Sequence, residues 1–133
     1  MTNEESQLVY DTLGFKFIEC TDDNIPHWIY SMGIEHPDEG YYLYPDGSYK
    51  QFRPDLSRYD TFIGYAGPYL KKLGFGYSCG QEEDGFFCCI FSFTFASVGN
   101  SDITPEEVYD SRKNEWLYES WQEALLKFIK SRK

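Results

Sequence analysis

The chain has 133 residues, with 22 acids against 12 bases, a formal net charge of −10 and 20% aromatic content. That length suits one domain spanning 1–133 that buries roughly two thirds of its unfolded surface, so neither a disulfide nor a metal is needed to hold a core. No apolar run approaches the ~20 residues of a membrane span, the N-terminus is acidic where a signal peptide is basic, and the charge repels nucleic acid and membranes, so a cytoplasmic protein is expected.

Thr2 and Glu5 have capping-box spacing, Leu8, Val9 and Leu13 share a helical face, and Gly14 suits the position after a helix. These predict a helix over 4–13. Residues 15–20 alternate Phe15, Phe17 and Glu19 with Lys16, Ile18 and Cys20, as a strand does. After the turn cluster Thr21-Asp22-Asp23-Asn24 and Pro26, the spacing of Trp28, Tyr30 and Met32 predicts a second strand over 27–32. Residues 33–40 read as an acidic loop. Tyr41–Tyr44, Pro45-Asp46-Gly47 and Ser48–Phe52 predict a β-hairpin with Leu43 opposite Tyr49 and Tyr42 opposite Lys50. In that register Tyr42, Tyr44, Ser48 and Lys50 share a solvated face.

Tyr59, Phe62, Ile63, Ala66, Tyr69, Leu70 and Leu73 form a helical stripe, and Pro68 predicts a break or kink before it, with a second piece ending at Gly74. A strand over 75–79, an acidic loop over 80–85 and a strand over 85–98 then form a second hairpin. The Phe-rich strand is too apolar for an edge and is expected in the interior of the sheet. Its odd face, Phe87, Cys89, Phe91, Phe93 and Phe95, is expected to be the buried one. Thr104-Pro105-Glu106-Glu107 resembles a helix start, predicting a helix through Val108 and Tyr109 to about Lys113. A last helix is expected from Ser120, with Trp121, Ala124, Leu125, Phe128 and Ile129 on its buried face. Together these give an α+β fold: an antiparallel sheet of four to five strands with two to three helices packed mainly on one face.

Catalytic signatures are missing. There is no phosphate-cradling Gly loop, no dinucleotide fingerprint and no nucleophile elbow. Cys20 with His27 as a thiol–base pair has only sequence proximity behind it. His36 with Glu35, Asp38 and Glu39 offers acceptable metal ligands but no loop spacing, and Glu82, Glu83 and Asp84 suit a solvated hairpin tip. No metal and no cofactor is therefore expected. The four cysteines, Cys20, Cys79, Cys88 and Cys89, lack zinc spacing and read as free thiols, at least two of them core residues; a cross-strand disulfide through Cys79 is the alternative.

Charge is uneven: residues 1–49 hold ten acids and one base, residues 50–133 twelve acids and eleven bases. Eight of the 12 tyrosines lie between Tyr41 and Tyr77. Tyrosine gives large contact area at low entropy cost and is common in interfaces. The function expected is thus a non-enzymatic, inhibitor-like module that presents a negative, tyrosine-bearing surface to a basic protein. Its candidate binding residues are Tyr42, Tyr44, Asp46, Glu35, Asp38 and Glu39. The alternative is a small-molecule-binding domain or enzyme with a Tyr- and Trp-lined pocket between sheet and helices. A homo-oligomer using leftover aromatic surface is a third reading.

Overall fold

Helix α1, Asn3–Leu13, begins with the predicted capping box: the Glu5 amide donates to Thr2 Oγ1 at 3.1 Å, and the Thr2 amide to Glu5 Oε1 at 3.0 Å. It ends in a Schellman motif, with Gly14 at φ +97 donating to the Asp11 carbonyl and Phe15 to that of Tyr10. The rings of Tyr10 and Phe15 meet edge-on at 5.8 Å, the apolar contact that accompanies this cap. The computed structural model describes residues 1–21, 23–92 and 108–132. Two compact units emerge: the described residues of Met1–Val9 with Asp55–Lys133, and those of Tyr10–Pro54. The chain passes from one to the other within α1 and again after Pro54.

Glu5 also accepts Lys130 Nζ at 2.9 Å. The Thr2 amide first, and Lys130 second, hold its carboxyl down to about 2, from 4.5. A depressed carboxylate stabilises the fold fully above its ordinary pKa and loses that contribution as pH falls through the folded value. A carboxyl-resolved NMR titration should therefore place the Glu5 midpoint near 2. A midpoint at 4.5 would mean that cap and ion pair are open in solution.

The Tyr10–Pro54 unit contains a three-stranded antiparallel sheet in the order β1 (Lys16–Ile18), β2 (Tyr41–Leu43), β3 (Tyr49–Lys50). The hairpin has the expected register, Leu43 opposite Tyr49 and Tyr42 opposite Lys50, and Gly47 takes φ +88 in the turn. Residues 27–32 form no strand. His27–Met32 is a 3-10 helix between Pro26 and the left-handed Gly33, and Pro37–Glu39 is a second 3-10 turn. Of the first helix only Ile29 is buried, joining Ile34 and Tyr41 in a small core with Ile18, Cys20, Ile25 and Tyr49 packed around it. Trp28, Tyr30 and Met32 thus do not share one face of a strand; each is exposed on a helix with three residues per turn.

The larger unit holds a second antiparallel sheet, β4 (Phe75–Glu82), β5 (Gly85–Ser92), β6 (Val108–Asp110), with the Phe-rich β5 in the middle. Among the described residues, the expected single sheet of four to five strands is instead two sheets of three strands each, because the first hairpin recruits Lys16–Ile18 and not the Phe-rich strand. The second hairpin is tighter than expected: Glu82 pairs with Gly85, leaving only Glu83 and Asp84 in the turn. Val108–Asp110 is a strand, not a helix, held by Phe91–Val108, Ile90–Tyr109 and Cys89–Asp110 pairing. The Phe-rich stretch 93–98 and the helix start Thr104–Glu107 lie outside the described residues.

The face of β5 that is fully buried is also the opposite of the one expected. Cys88 and Ile90 are buried, whereas Phe87, Cys89 and Phe91 are half-buried. Helix α4, Leu117–Ser131, lies against the Cys88 side, donating from Ser120 Oγ to the Phe86 carbonyl at 2.8 Å. All five predicted stripe residues of α4 are buried. The helix starts earlier than Ser120, which is therefore an interior contact rather than a cap. Residues 59–72 are helical throughout: α2 (Tyr59–Thr61), a π-helical stretch (Phe62–Ala66) and α3 (Gly67–Lys72). The expected break at Pro68 takes the form of the wide π turn just before it, which accommodates a residue that has no N–H and whose ring crowds the preceding turn.

Candidate functional site

The side chains with the largest unexplained exposure in the Tyr10–Pro54 unit are aromatic. Trp28 is 48% exposed, Tyr30 56% and Phe52 76%, with Phe17 and Met32 also outside. Single exposed apolar residues are ordinary, but five in so short a segment, three of them on one 3-10 helix, are not. On this 3-10 helix only Ile29 is buried, and Met32, one turn further on, lies outside with Trp28 and Tyr30. Trp28 is held in place: its ring meets Tyr49 at 5.0 Å, and Tyr49 in turn meets the buried Tyr41 at 5.7 Å. Burial raises the Tyr41 hydroxyl above its ordinary pKa, and the Cys20 thiol beside it adds to the effect.

The acidic loop sits against the hairpin through one glutamine. Gln51 Oε1 accepts the His36 amide at 2.9 Å, and Gln51 Nε2 donates to the carbonyls of His36 at 3.1 Å and Gly40 at 2.8 Å. These bonds fix the stretch that carries Glu35, Asp38 and Glu39. All three acids are exposed and none has a cationic partner among the described residues, whereas Asp60, Glu82, Asp84, Glu123 and Glu5 of the larger unit each pair with a Lys or Arg. The unit as a whole carries eight acids and three bases.

The other expected binding residues divide. Asp46 is exposed at the hairpin turn, where the Ser48 hydroxyl and amide donate to its Oδ1 and hold its carboxyl below the ordinary range. Tyr42 is half-buried, with Phe17 tilted over it at 5.2 Å. Tyr44 is not on a solvated face: it is 5% exposed, its hydroxyl donates to the Phe52 carbonyl, and Phe15 meets its ring edge-on at 4.9 Å. Burial is tolerable because that hydroxyl is satisfied, and it removes Tyr44 from any contact surface. Trp28, Tyr30 and Met32 are the residues the sequence reading missed. Their only signal there was apolar side chains between Pro26, which suits the start of a helix, and Gly33, which suits the position after its end.

In the larger unit a groove of about 340 Å3 is lined by Ile63, Gly67, Lys71, Phe75, Gly76, Tyr77 and Phe91. It holds one tyrosine and one lysine and contains no Trp, His, Cys or carboxylate, so it lacks the convergent polar groups and perturbed acid that a catalytic pocket needs. Among the described residues no group of three or more His, Cys, Asp or Glu is placed to hold a metal ion, and no helix is long and apolar enough to cross a membrane. No protein-family model, curated protein or solved structure matches this chain.

Proposed function

We propose that the Tyr10–Pro54 unit is a protein-binding module for a basic partner, with Trp28, Tyr30 and Met32 as apolar anchors and Glu35, Asp38 and Glu39 as the charged surround. The observation that carries this reading is the coexistence, in one small unit, of outward aromatic side chains and of Glu35, Asp38 and Glu39, which pair with no Lys or Arg among the described residues. Interfaces draw their affinity from a few buried aromatic anchors, and complementary charge steers the encounter. An acidic surface left unneutralised costs self-repulsion in the free protein and is relieved by a cationic patch. The chemistry favours a partner that presents Lys and Arg around an apolar pocket. Relative to the sequence expectation, the anchors move from Tyr42 and Tyr44 to the 3-10 helix, Glu35, Asp38 and Glu39 stay, and Asp46, engaged by Ser48, drops out.

The test is capture from a lysate of the source cells at low and high salt, with wild-type protein beside Trp28→Ala and the triple variant Glu35→Gln, Asp38→Asn, Glu39→Gln. The expected outcome is a set of basic proteins retained at low salt, lost at high salt and lost from both variants. Trp28→Ala alone should weaken the complex by about 2 kcal/mol, roughly thirtyfold in Kd. Proteins retained equally by all three forms would refute the assignment.

A further inference from the structure

Cys79 and Cys88 stand directly opposite each other on β4 and β5, with their sulfurs 2.8 Å apart. The two sulfurs are in direct contact. The position on the ladder matters. The Cys88 amide donates to Ser111 Oγ and its carbonyl accepts the Ser111 amide, both at 2.9 Å. Its backbone groups therefore face away from β4, and Cys79–Cys88 is a non-hydrogen-bonded pair of the β4–β5 ladder. Such pairs have Cα atoms about 4.5 Å apart and the closer side chains, inside the ~4.4–6.8 Å span that disulfides bridge.

The two thiols are unequal. Cys79 is half-buried and Cys88 fully buried, so an incoming reagent meets Cys79 first. The Cys88 S–H beside it lowers the Cys79 thiol below its ordinary range, and the Tyr59 hydroxyl lowers it further. Burial, with Cys79 next, pushes Tyr59 up to about 12, so it stays a donor at neutral pH. Cys88 moves upward, because the neighbouring Cys79 and burial both disfavour its charged form. Cys89 follows Cys88 in the chain but points to the opposite face of the strand. Burial and Asp110 hold Cys89 up at about 12, so it is a poor nucleophile.

We propose that Cys79 and Cys88 form a thiol–disulfide exchange site whose substrate is a small organic disulfide, with Cys79 as the attacking thiol and Cys88 as the resolving one. Cys79 gives its proton to solvent, and the thiolate attacks one sulfur of the small disulfide, forming a mixed disulfide and expelling one small thiolate, which takes up a proton. Cys88 then gives its proton to the second leaving sulfur and attacks Cys79 Sγ, breaking the mixed disulfide. The balance is two protein thiols oxidised to one disulfide and one small disulfide reduced to two small thiols. The product locks β4 to β5 across a hairpin that is already paired, so no rearrangement of the backbone is required.

Folded protein treated with hydroxyethyl disulfide, quenched with acid and examined by intact mass and peptide mapping tests this. The expected result is a chain that has lost two hydrogens, with the bond mapped to Cys79–Cys88 and no adduct retained at either position. Cys88→Ser should instead trap the hydroxyethyl adduct on Cys79, and Cys79→Ser should leave Cys88 unmodified. A wild-type adduct that persists on Cys79, a first bond through Cys20 or Cys89, a bond between two molecules, or no reaction at Cys79 under conditions that modify Cys89 would each overturn the proposal. The wild-type result decides it even if a variant fails to fold.

Discussion

Trp121→Ala and Phe128→Ala are each expected to destabilise the larger unit by about 3–5 kcal/mol, the range for removing a buried aromatic ring and leaving a cavity. Trp121 is 1% exposed and stacks on Phe62 at 5.0 Å with the planes 18° apart; Phe62 in turn meets Tyr77 of β4 at 4.6 Å. Phe128 touches Phe75 of β4 at 4.8 Å and Tyr109 of β6 at 5.1 Å, with Tyr69 of α3 at 6.2 Å. Phe128 joins α4 to the sheet directly and Trp121 joins it through Phe62, so neither removal can be repaired by a shift of one neighbour. Trp121→Phe should be much milder, because the Trp121 indole N–H has no hydrogen-bond partner among the described residues and its loss sacrifices nothing polar. Denaturant unfolding should show the midpoint moving strongly for both alanine variants and little for the phenylalanine. A change below about 1 kcal/mol at Phe128 would mean that α4 does not rest on this sheet.

Gly85→Ala is expected to cost about 3 kcal/mol, combining backbone strain with broken hydrogen bonds. Gly85 opens β5 at φ +144, where side chains are strongly disfavoured. A Cβ there would lie 2.7 Å from the Asn114 carbonyl oxygen, a backbone atom that cannot rotate aside. Asn114 is itself bonded to Phe86 in both directions, at 2.8 and 2.9 Å, and its side chain reaches Ser120 Oγ at 3.2 Å. Pushing it away therefore opens the bridge between the start of β5 and the segment leading into α4. Gly74→Ala is the control: its φ is also positive, +87, but nothing lies within 4 Å of the added carbon, and the cost should be only about 1 kcal/mol. Equal losses at the two glycines would show that the Asn114 contact contributes nothing.

The elements that were legible in the sequence are those determined by neighbours along the chain. The Thr2–Glu5 cap, the Gly14 stop, the Pro45-Asp46-Gly47 turn with its register and the buried stripe of α4 each depend on spacings of a few residues. Segments determined by partners far away in sequence were misread. Val108–Asp110 follows a stretch that resembles a helix start, yet pairing with β5 makes it a strand. On β5 the bulky Phe face looked like the core, but α4 lies over the side of the smaller Cys88 and Ile90, where the backbone can be approached closely. At the candidate site the acids were readable from charge alone. Its anchors were not, because Trp28 and Tyr44 differ only in whether the fold happens to cover them, and Tyr44, expected on a solvated face, is buried.

With a partner captured by the wild-type protein, its association and dissociation rates against immobilised wild type, Trp28→Ala and the triple acid variant test the binding assignment most directly. Charge outside a contact acts mainly on encounter, and a desolvated anchor acts mainly on departure. Neutralising Glu35, Asp38 and Glu39 should slow association and flatten its salt dependence with little change in dissociation, while Trp28→Ala should speed dissociation roughly thirtyfold. Unaltered rates for both variants would contradict the claim that the acidic, aromatic unit is the surface this protein works through.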